Sequence, residues 1–394
     1  MAGARVLAVQ ISRHGGPEEL MLVERPDPVA AAGQVVVRNR WIGVNYVDLQ
    51  HRAGQPYPVR LPLIPGTEAA GTVVAVGAGA DPGLVGVPVV HFGHLCGVYA
   101  EMTAVPTEFV VPLAADVALD AAAAVAMNGT TAYVLTSMAC RIGPGDVVVV
   151  QAAAGATGGA VVQLAAAAGA EVIALASSVG KAQEAVALGA RHGFALQQVP
   201  DPVAAVLSVT GGRGANVVYD AGGRDTFEMS LDMLATRGTL VLYGQSSGPV
   251  APFDPGRLSG ITGAGRGAGS LTLRWVAASH YLTSQQDRAA AVSAILGQLA
   301  AGRFSPRIAG RFPLRRASEA HARLASRTVL GKLLLQALPA RRPPARTCRP
   351  ASRPLPAATT RVAAVIWGAG NNGARNRVRP SSLLNTPGRG RVSA

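Results

Sequence analysis

The sequence has few cysteines, few aromatic residues and no long apolar run. Its 394 residues include three cysteines, Cys96, Cys140 and Cys348, and no CxxC pair, which excludes a disulfide framework and a four-cysteine structural zinc lobe. No apolar run reaches 18 residues without a polar break, which argues against a membrane-spanning helix. The first residues form a poor signal peptide, because Arg13 and His14 interrupt the apolar stretch. We therefore expect a soluble, cytoplasmic protein.

The excess of basic residues is concentrated at the end of the chain. The net charge is +14, but eleven arginines and no acid lie in residues 339–394, which leaves +3 for residues 1–338. The body therefore offers no electrostatic case for binding nucleic acid or a membrane surface. The Pro- and Arg-rich tail is expected to be disordered, and it is either a functional basic tail or a non-native extension.

The tail contains a literal GxGxxG at Gly368, Gly370 and Gly373. No helix-forming segment follows these glycines, because the next residues end at a proline, and no second strand–helix unit follows either. A dinucleotide site needs both. We therefore assign no nucleotide site to the tail.

Abundant Ala, Gly and Val, together with the order of the segments, indicate the fold. Residues 4–112 contain short β-branched runs separated by turn residues, which predicts a β-rich domain, in the form of a partly open barrel. From residue 147 onwards, strand-like and helix-like segments alternate up to residue 243. This alternation predicts an α/β fold with a doubly wound parallel sheet.

The stretch from Val147 to Gly169 reads VVVVQAAAGATGGAVVQLAAAAG. It predicts a strand, a tight turn and a helix, with Ala152, Gly155 and Gly158 where the backbone turns and comes close to a ligand. A helix that starts there directs unpaired N–H groups and its positive dipole end at the turn, which suits a pyrophosphate. The alternative is an ordinary strand–helix turn without a ligand.

The end of the next predicted strand favours NADP over NAD. An acid at this place would bond the 2′-hydroxyl of NAD and repel the 2′-phosphate of NADP. The sequence has Ser177 and Ser178 there, no acid, and Lys181 one helical turn later. Hydroxyl groups and an ammonium group suit a phosphate. Alternatively, Lys181 is a solvated residue at the start of a helix.

Two further predicted strands end in small residues. DAGG from Asp220 and GQSS from Gly244 follow successive strands, and ligands bind at the carboxyl ends of such strands in open α/β sheets. Small residues there would let a nicotinamide and its ribose lie against the backbone. Each could instead be an ordinary loop, although their joint placement argues against that.

Several motifs together resemble the zinc-independent NADPH:quinone oxidoreductases, the zeta-crystallin-like family of the medium-chain dehydrogenase/reductase superfamily. The resemblance covers residues 4–336 in the expected order. Its motifs are HGGPEEL from His14, GVNYVDLQHRAG from Gly43, PGTEAAG from Pro65, NGTTAYVL from Asn128, AAAGATGGAVVQLA from Ala152, VVYDAGGRDTFEMSLDMLATRG from Val217 and TVLGKLLL from Thr328.

The resemblance also predicts that no catalytic zinc is bound. Zinc-dependent relatives have a cysteine where this chain has Asn45 and a histidine where it has Thr67, and neither amide nor hydroxyl is a usual zinc ligand. The segment HFGHLC offers three other donors, at His91, His94 and Cys96. Their spacing on an extended chain converges poorly, so we interpret the histidines as lining a cleft.

The resemblance implies roles for individual residues. Asn45 and Tyr46 would be catalytic beside the nicotinamide, and Tyr57 would donate a proton in an alkene reductase unless it is only a surface aromatic. Asn128 and Thr131 would open the helix under the cofactor. The predicted cofactor-binding residues are Asp48, Asn128, Thr131, Ala154, Gly155, Ala156, Thr157, Gly158, Ser177, Ser178, Lys181, Gly222, Gly244, Gln245, Ser246, Ser247 and Lys332.

The expected architecture joins a GroES-like catalytic domain (residues 1–126 and 270–338) to a Rossmann domain (residues 127–269), followed by the tail. The expected activity is NADPH-dependent hydride transfer to a quinone or similar electron-poor small molecule. Alternatives are reduction of 2-alkenals or 2-enoyl thioesters on the same scaffold, a non-enzymatic NADPH-binding role, and nucleic-acid binding through the tail. By resemblance, the protein would form a homodimer through the strand near residues 270–273.

Overall fold

The computed structural model describes residues 5–94, 97–261 and 269–337. The predicted disordered tail lies outside these residues, together with its GxGxxG motif and Cys348. Cys96 also lies outside them. All described residues belong to one structural unit, Met1–Arg341. In the described ranges, no helix is long and apolar enough to cross a lipid bilayer.

Fifteen strands and eight α-helices occur in the described part of the chain. The strands are β1 (Arg5–Gln10), β2 (Met21–Pro26), β3 (Gln34–Val44), β4 (Glu68–Val76), β5 (Pro88–Phe92), β6 (Met102–Pro106), β7 (Val110–Pro112), β8 (Val147–Val150), β9 (Glu171–Ala176), β10 (His192–Ala195), β11 (Ala215–Asp220), β12 (Leu234–Leu242), β13 (Thr272–Trp275), β14 (Ile308–Pro313) and β15 (Lys332–Gln336). The helices are α1 (Tyr46–Ala53), α2 (Leu119–Tyr133), α3 (Ala156–Ala167), α4 (Val179–Ala187), α5 (Pro202–Val209), α6 (Phe227–Asp232), α7 (Gln285–Ala300) and α8 (Ala317–Ala325).

One domain is built on a seven-stranded, mostly antiparallel sheet. The strand order is β14-β15-β3-β4-β5-β7, and β6 pairs with β3. The antiparallel pairing of β15 with β3 sets Leu333 opposite Val44, so the two ends of the described chain build this sheet together. β1 and β2 form a separate antiparallel hairpin.

The other domain is built on a six-stranded parallel sheet, in the order β10-β9-β8-β11-β12-β13. Helices cover both of its faces, and alternate residues of β8 show why the strand is apolar throughout. Val148 and Val150 pack in one buried cluster, whereas Val149 packs in the cluster on the opposite face. A parallel strand that is buried on both faces needs a continuous apolar run rather than an alternating one.

These two sheets confirm the predicted fold class, an α/β Rossmann part with a GroES-like β domain. The domain boundaries remain a prediction, but β13 pairs with β12 in the parallel sheet, although residues from 270 onwards were assigned to the other domain. The sequence analysis described residues 4–112 as short strands separated by turns and therefore missed α1. The burial pattern explains this omission, because α1 buries Asp48, His51 and Arg52 beside Leu49 and therefore lacks an apolar stripe.

Candidate active site

The turn between β8 and α3 has the close backbone packing that a phosphate cradle requires. Ala152 lies in the left-handed region, with φ 51°, and Gly155 is the residue that precedes the first turn of α3. A Cβ atom on Gly158 would overlap the carbonyl oxygen of Ala152 and would lie 3.2 Å from the Cα of Ala153. No side chain caps this helix within the described residues, so its first N–H groups face the turn.

A buried cluster around Lys332 lies beside this turn. The Lys332 Nζ donates hydrogen bonds to Asn45 Oδ1 at 2.6 Å, to Asn128 Oδ1 at 2.6 Å and to Glu68 Oε1. The side chains of Lys332 and Glu68 are 2% and 0% exposed. Asn128 Nδ2 in turn donates to Thr157 Oγ1 at 2.8 Å. The cluster therefore joins the last strand of the β-rich domain to the first turn of α3.

A second buried chain of polar groups ends at Asp48. Arg52 Nη1 lies 3.2 Å from His321 Nδ1, and His321 Nε2 lies 3.0 Å from the Tyr99 hydroxyl. Because a guanidinium only donates, Nδ1 must accept and Nε2 must carry the ring proton. The Tyr99 hydroxyl then donates to Asp48 Oδ2 at 3.1 Å, and the backbone N–H of Asn45 donates to the same oxygen at 2.8 Å.

Burial dominates the protonation of this chain. It raises the pKa of Asp48 to about 7, more than the hydrogen bond from Asn45 and the charge of Lys332 lower it. It lowers the pKa of His321 to about 3, in agreement with the neutral tautomer. The other oxygen of Asp48, Oδ1, is buried without a hydrogen-bond partner among the described residues. Asp48 is therefore enclosed, and it holds the start of α1 rather than facing an open cleft.

The side chain of Lys181 contacts the backbone of Arg327 near the end of β9. Lys181 is half-buried on α4, and its Nζ donates to the backbone carbonyl of Arg327. The pKa of Lys181 is lowered by burial and then by the charge of Arg327. Ser178 precedes the first turn of α4, while Ser177 is exposed. Arg327 therefore adds a positive charge near Lys181 that the sequence analysis did not identify. Phosphate binding by Ser177, Ser178 and Lys181 remains a prediction.

Asp220 organises the loop after β11, and Ser247 joins that loop to the one after β12. Asp220 Oδ1 accepts hydrogen bonds from the backbone of Gly222 at 2.6 Å and from Thr226 Oγ1 at 2.7 Å. Ser247 Oγ donates to the carbonyl of Gly222 at 2.7 Å. The loop after β12, which comprises the predicted residues Gly244, Gln245, Ser246 and Ser247, therefore lies against the loop that contains Gly222.

Several contacts cross from the β-rich domain to the cofactor domain. The Tyr46 hydroxyl donates to the backbone carbonyl of Ser246 at 3.2 Å, and Arg327 Nη2 reaches the same oxygen at 3.3 Å. The backbone N–H of Gly331 also donates to the carbonyl of Ala154 at 3.1 Å. These contacts place Tyr46 at the cleft between the two sheets.

Two expectations about individual residues need correction, and a third remains a prediction. Asn128 and Thr131 do not open a helix, because α2 begins at Leu119 and both residues lie near its end; the Ala-rich stretch before Asn128 continues as one helix. His91 does not line a cleft, since it is fully buried and its Nε2 lies 3.0 Å from Asn39 Oδ1. Tyr57 is 37% exposed, and its role as a proton donor remains a prediction.

Sequence reasoning missed two polar residues that complete the site, Glu68 and Tyr99. Glu68 follows Thr67 in the GTE motif, so its place in that motif was a usable signal. Tyr99 has no local signal, because its partners Asp48 and His321 lie far away in the sequence. Among the described residues, no group of three or more His, Cys, Asp or Glu side chains could hold a metal ion.

Comparisons with known proteins agree with this arrangement. The family model described as alcohol dehydrogenase GroES-like domain matches residues 31–115, and the one described as zinc-binding dehydrogenase matches residues 156–277. The chain is 34% identical over 335 residues to the 2-haloacrylate reductase of a Burkholderia species, covering 84% of this chain and 98% of that protein. It is also 34% identical over 329 residues to quinone oxidoreductase 1 of Escherichia coli K12, covering 83% and 98%.

Solved structures show the same relationship. The Escherichia coli quinone oxidoreductase complexed with NADPH superposes with a TM-score of 0.79 at 33% identity, covering 84% of this chain and 99% of that one. The structure of 2-haloacrylate reductase superposes with a TM-score of 0.74 at 33% identity, with the same coverage. Fold and site together define a medium-chain dehydrogenase/reductase, which is an oxidoreductase. Within that superfamily, the chain belongs to the quinone oxidoreductase family.

Proposed function

We propose that this chain is an NADPH-dependent reductase that transfers a hydride to a quinone or a similarly electron-poor acceptor without a metal ion. The observation that carries the proposal is the glycine-lined turn before α3 together with the Lys181–Arg327 pair near the end of β9. The N–H groups at the start of α3 suit a pyrophosphate. The two cationic side chains suit the additional phosphate of NADPH, because charged donors bind phosphate strongly.

NADPH supplies the hydride when it is bound, and the protein supplies position and exclusion of water. Gly158 lets the backbone of the turn approach the ligand, and Asn45 and Asn128 are held rigidly beside it by Lys332. Positions 45 and 67 carry an amide and a hydroxyl group, which are not usual zinc ligands. No metal ion would therefore be held there to act as a Lewis acid on the acceptor. Quinones and electron-poor alkenes accept hydride under those conditions, whereas unactivated carbonyl compounds need more help.

The second candidate acceptor is an electron-poor alkene. The relative named 2-haloacrylate reductase aligns with this chain over 98% of its own length. The substrate in that name is an alkene. After hydride addition to an alkene the α-carbon needs a proton, and a phenol is a suitable donor. Tyr57 provides an exposed phenol in the loop after α1.

We expect Lys181→Ala to raise the KM for NADPH about tenfold and to leave the KM for NADH unchanged. A hydrogen bond to a charged group is worth about 1.5–3 kcal/mol, and 1.4 kcal/mol is tenfold in affinity. Steady-state kinetics with both cofactors tests this. Arg323→Ala is the control, since that guanidinium lies over Phe312 in the β-rich domain. Equal changes with NADPH and NADH would contradict this use of Lys181.

A Tyr57→Phe variant distinguishes the two acceptor classes. If Tyr57 donates a proton to an alkene product, kcat with an enone falls about a hundredfold, while quinone turnover is unchanged. The measurement is NADPH oxidation with a panel of quinones and enones. Unchanged turnover of both classes would remove Tyr57 from the mechanism, and a protein that binds NADPH but reduces no member of the panel would support the non-enzymatic role.

We also propose that the protein is a homodimer that pairs through β13. This strand is at the edge of the parallel sheet, where β12 is its neighbour. Thr272, Arg274 and Trp275 are exposed on it, with Trp275 at 50%. A short edge strand with an exposed aromatic residue suits pairing with a second copy.

A further inference from the structure

The Lys332 ammonium has no donor left for a ligand. An ammonium group has three N–H donors and no acceptor. All three are accounted for, because Nζ contacts Glu68 Oε1, Asn45 Oδ1 and Asn128 Oδ1. With a side-chain exposure of 2%, the group is also closed to solvent. Lys332 can therefore act on a cofactor only through the groups that it binds.

The ammonium determines the orientation of two side-chain amides. Because Asn45 and Asn128 turn their oxygens towards Lys332, their NH₂ groups must point away from it. Asn45 Nδ2 donates to Glu68 Oε1 at 2.7 Å, and Asn128 Nδ2 donates to Thr157 Oγ1 at 2.8 Å. A flipped amide would place NH₂ against the ammonium, donor against donor. Each amide therefore has one permitted orientation.

Glu68 holds the ammonium in place and ties it to α2. Its Oε1 accepts from Lys332 and Asn45, and its Oε2 accepts from the backbone N–H of Met127 at 2.5 Å. Gly43 on the neighbouring strand leaves the space that this carboxylate fills, because a Cβ there would overlap Glu68 Oε1. The pair is thus enclosed by β3, β4, α2 and β15.

We propose that Lys332, paired with Glu68, is a positioning residue for the cofactor: it orients Asn128 so that this amide fixes Thr157 in the first turn of α3, and it orients Asn45 at the nicotinamide end of the cleft. This inference rests on the proposed NADPH-dependent function. It differs from the direct contact between Lys332 and the cofactor that the family resemblance implies.

The test compares two neutral double variants that differ only at residue 332. Lys332→Met with Glu68→Gln removes both charges and the hydrogen-bond donors of residue 332, so no unpaired charge is left buried. Lys332→Gln with Glu68→Gln is equally neutral but keeps a side-chain NH₂ group that can face the asparagine oxygens. The readout is the Kd for NADPH from fluorescence titration, with circular dichroism and urea unfolding as checks of folding.

We expect the Met variant to bind NADPH about tenfold more weakly than the wild type, and the Gln variant to bind within about threefold of the wild type. We also expect Asn128→Ala to cost about tenfold in the wild-type background and almost nothing in the Met variant, because that amide has already lost its orientation. Equal Kd values for the Met and Gln variants, or an undiminished effect of Asn128→Ala in the Met variant, would overturn the proposal.

A second comparison covers the case in which the Met variant does not fold. Thr157→Val removes the hydroxyl that receives Asn128 and leaves the buried pair intact. Adding Asn128→Ala to Thr157→Val should not weaken NADPH binding further, and a full tenfold additional loss would refute the proposed route. Failure of the wild-type protein to bind NADPH would instead refute the proposed function, so the two failures are distinguishable.

Discussion

Gly158→Ala is expected to abolish most NADPH binding and to destabilise the protein. The added Cβ would overlap the carbonyl oxygen of Ala152, and the neighbouring contacts at 3.0 Å and 3.2 Å are also backbone atoms. Backbone cannot move aside as a side chain can, so the turn must open. Overpacking of this kind costs about 1–3 kcal/mol of unfolding free energy, and we expect at least a tenfold increase in the Kd for NADPH.

Gly159→Ala is the matched control on the same helix. Its Cβ would meet Leu188 Cδ1 at 3.0 Å, the end of a flexible side chain that can turn away. Alanine has a higher helix propensity than glycine by about 1 kcal/mol, so this variant should be at least as stable as the wild type. Urea unfolding and fluorescence titration of both variants test the pair. If Gly158→Ala bound NADPH as tightly as Gly159→Ala, the turn would not be the phosphate site.

The free energy of unfolding should decrease as the pH rises because of the Asp48 carboxyl group, and an Asp48→Asn variant should lack this decrease. The pKa of Asp48 is raised from 3.8 to about 7 by burial. Between these two values the folded protein holds a proton that the unfolded chain has lost, so the free energy of unfolding decreases as the pH rises from about 4 to 7. The full cost, on the order of 4 kcal/mol, is present above pH 7 and absent below pH 4.

Asparagine is a suitable replacement because its Oδ1 can still accept hydrogen bonds from Tyr99 and the Asn45 backbone. The unfolding free energy of the wild type minus that of Asp48→Asn, measured in urea from pH 4 to pH 8, should therefore fall as the pH rises. His91 and His321, whose pKa values are lowered to about 3, destabilise both proteins below pH 6.5 and cancel in this difference. A difference that does not change with pH would show that Asp48 is not buried as described.

The parts of the fold that could be predicted from the sequence are those with a local signature. The β8–α3 turn has one, since a run of four valines meets glycines and then an alanine-rich helix. The parallel sheet follows from repeated alternation of strand and helix. α1 lacked such a signature, because it buries the charged and polar groups of Asp48, His51 and Arg52. Tyr99, which contacts Asp48, and His321, which contacts Arg52, lie far away in the sequence, so no local pattern reveals them.

The same distinction applies to the candidate site. The residues of the turn and the Ser177–Lys181 segment could be identified from strand ends and residue chemistry. The burial of Lys332 with Glu68 could not, because the two residues lie 264 positions apart and meet only when β15 pairs with β3. Arg327 was missed for a related reason: it follows α8, and its approach to Lys181 depends on how the end of the chain returns to the cofactor domain.

The pairing of β15 with β3 also has a consequence for biosynthesis. β3 leaves the ribosome early, whereas β15, its neighbour in the sheet, begins only at Lys332. Within the described ranges, the parallel sheet contains no strand beyond Trp275. It can therefore assemble while residues 41–44 of β3 still lack their partner strand β15. Domains fold as units during synthesis. We therefore expect the strands of the parallel sheet to pair first, and the sheet that encloses the Lys332–Glu68 pair to close last.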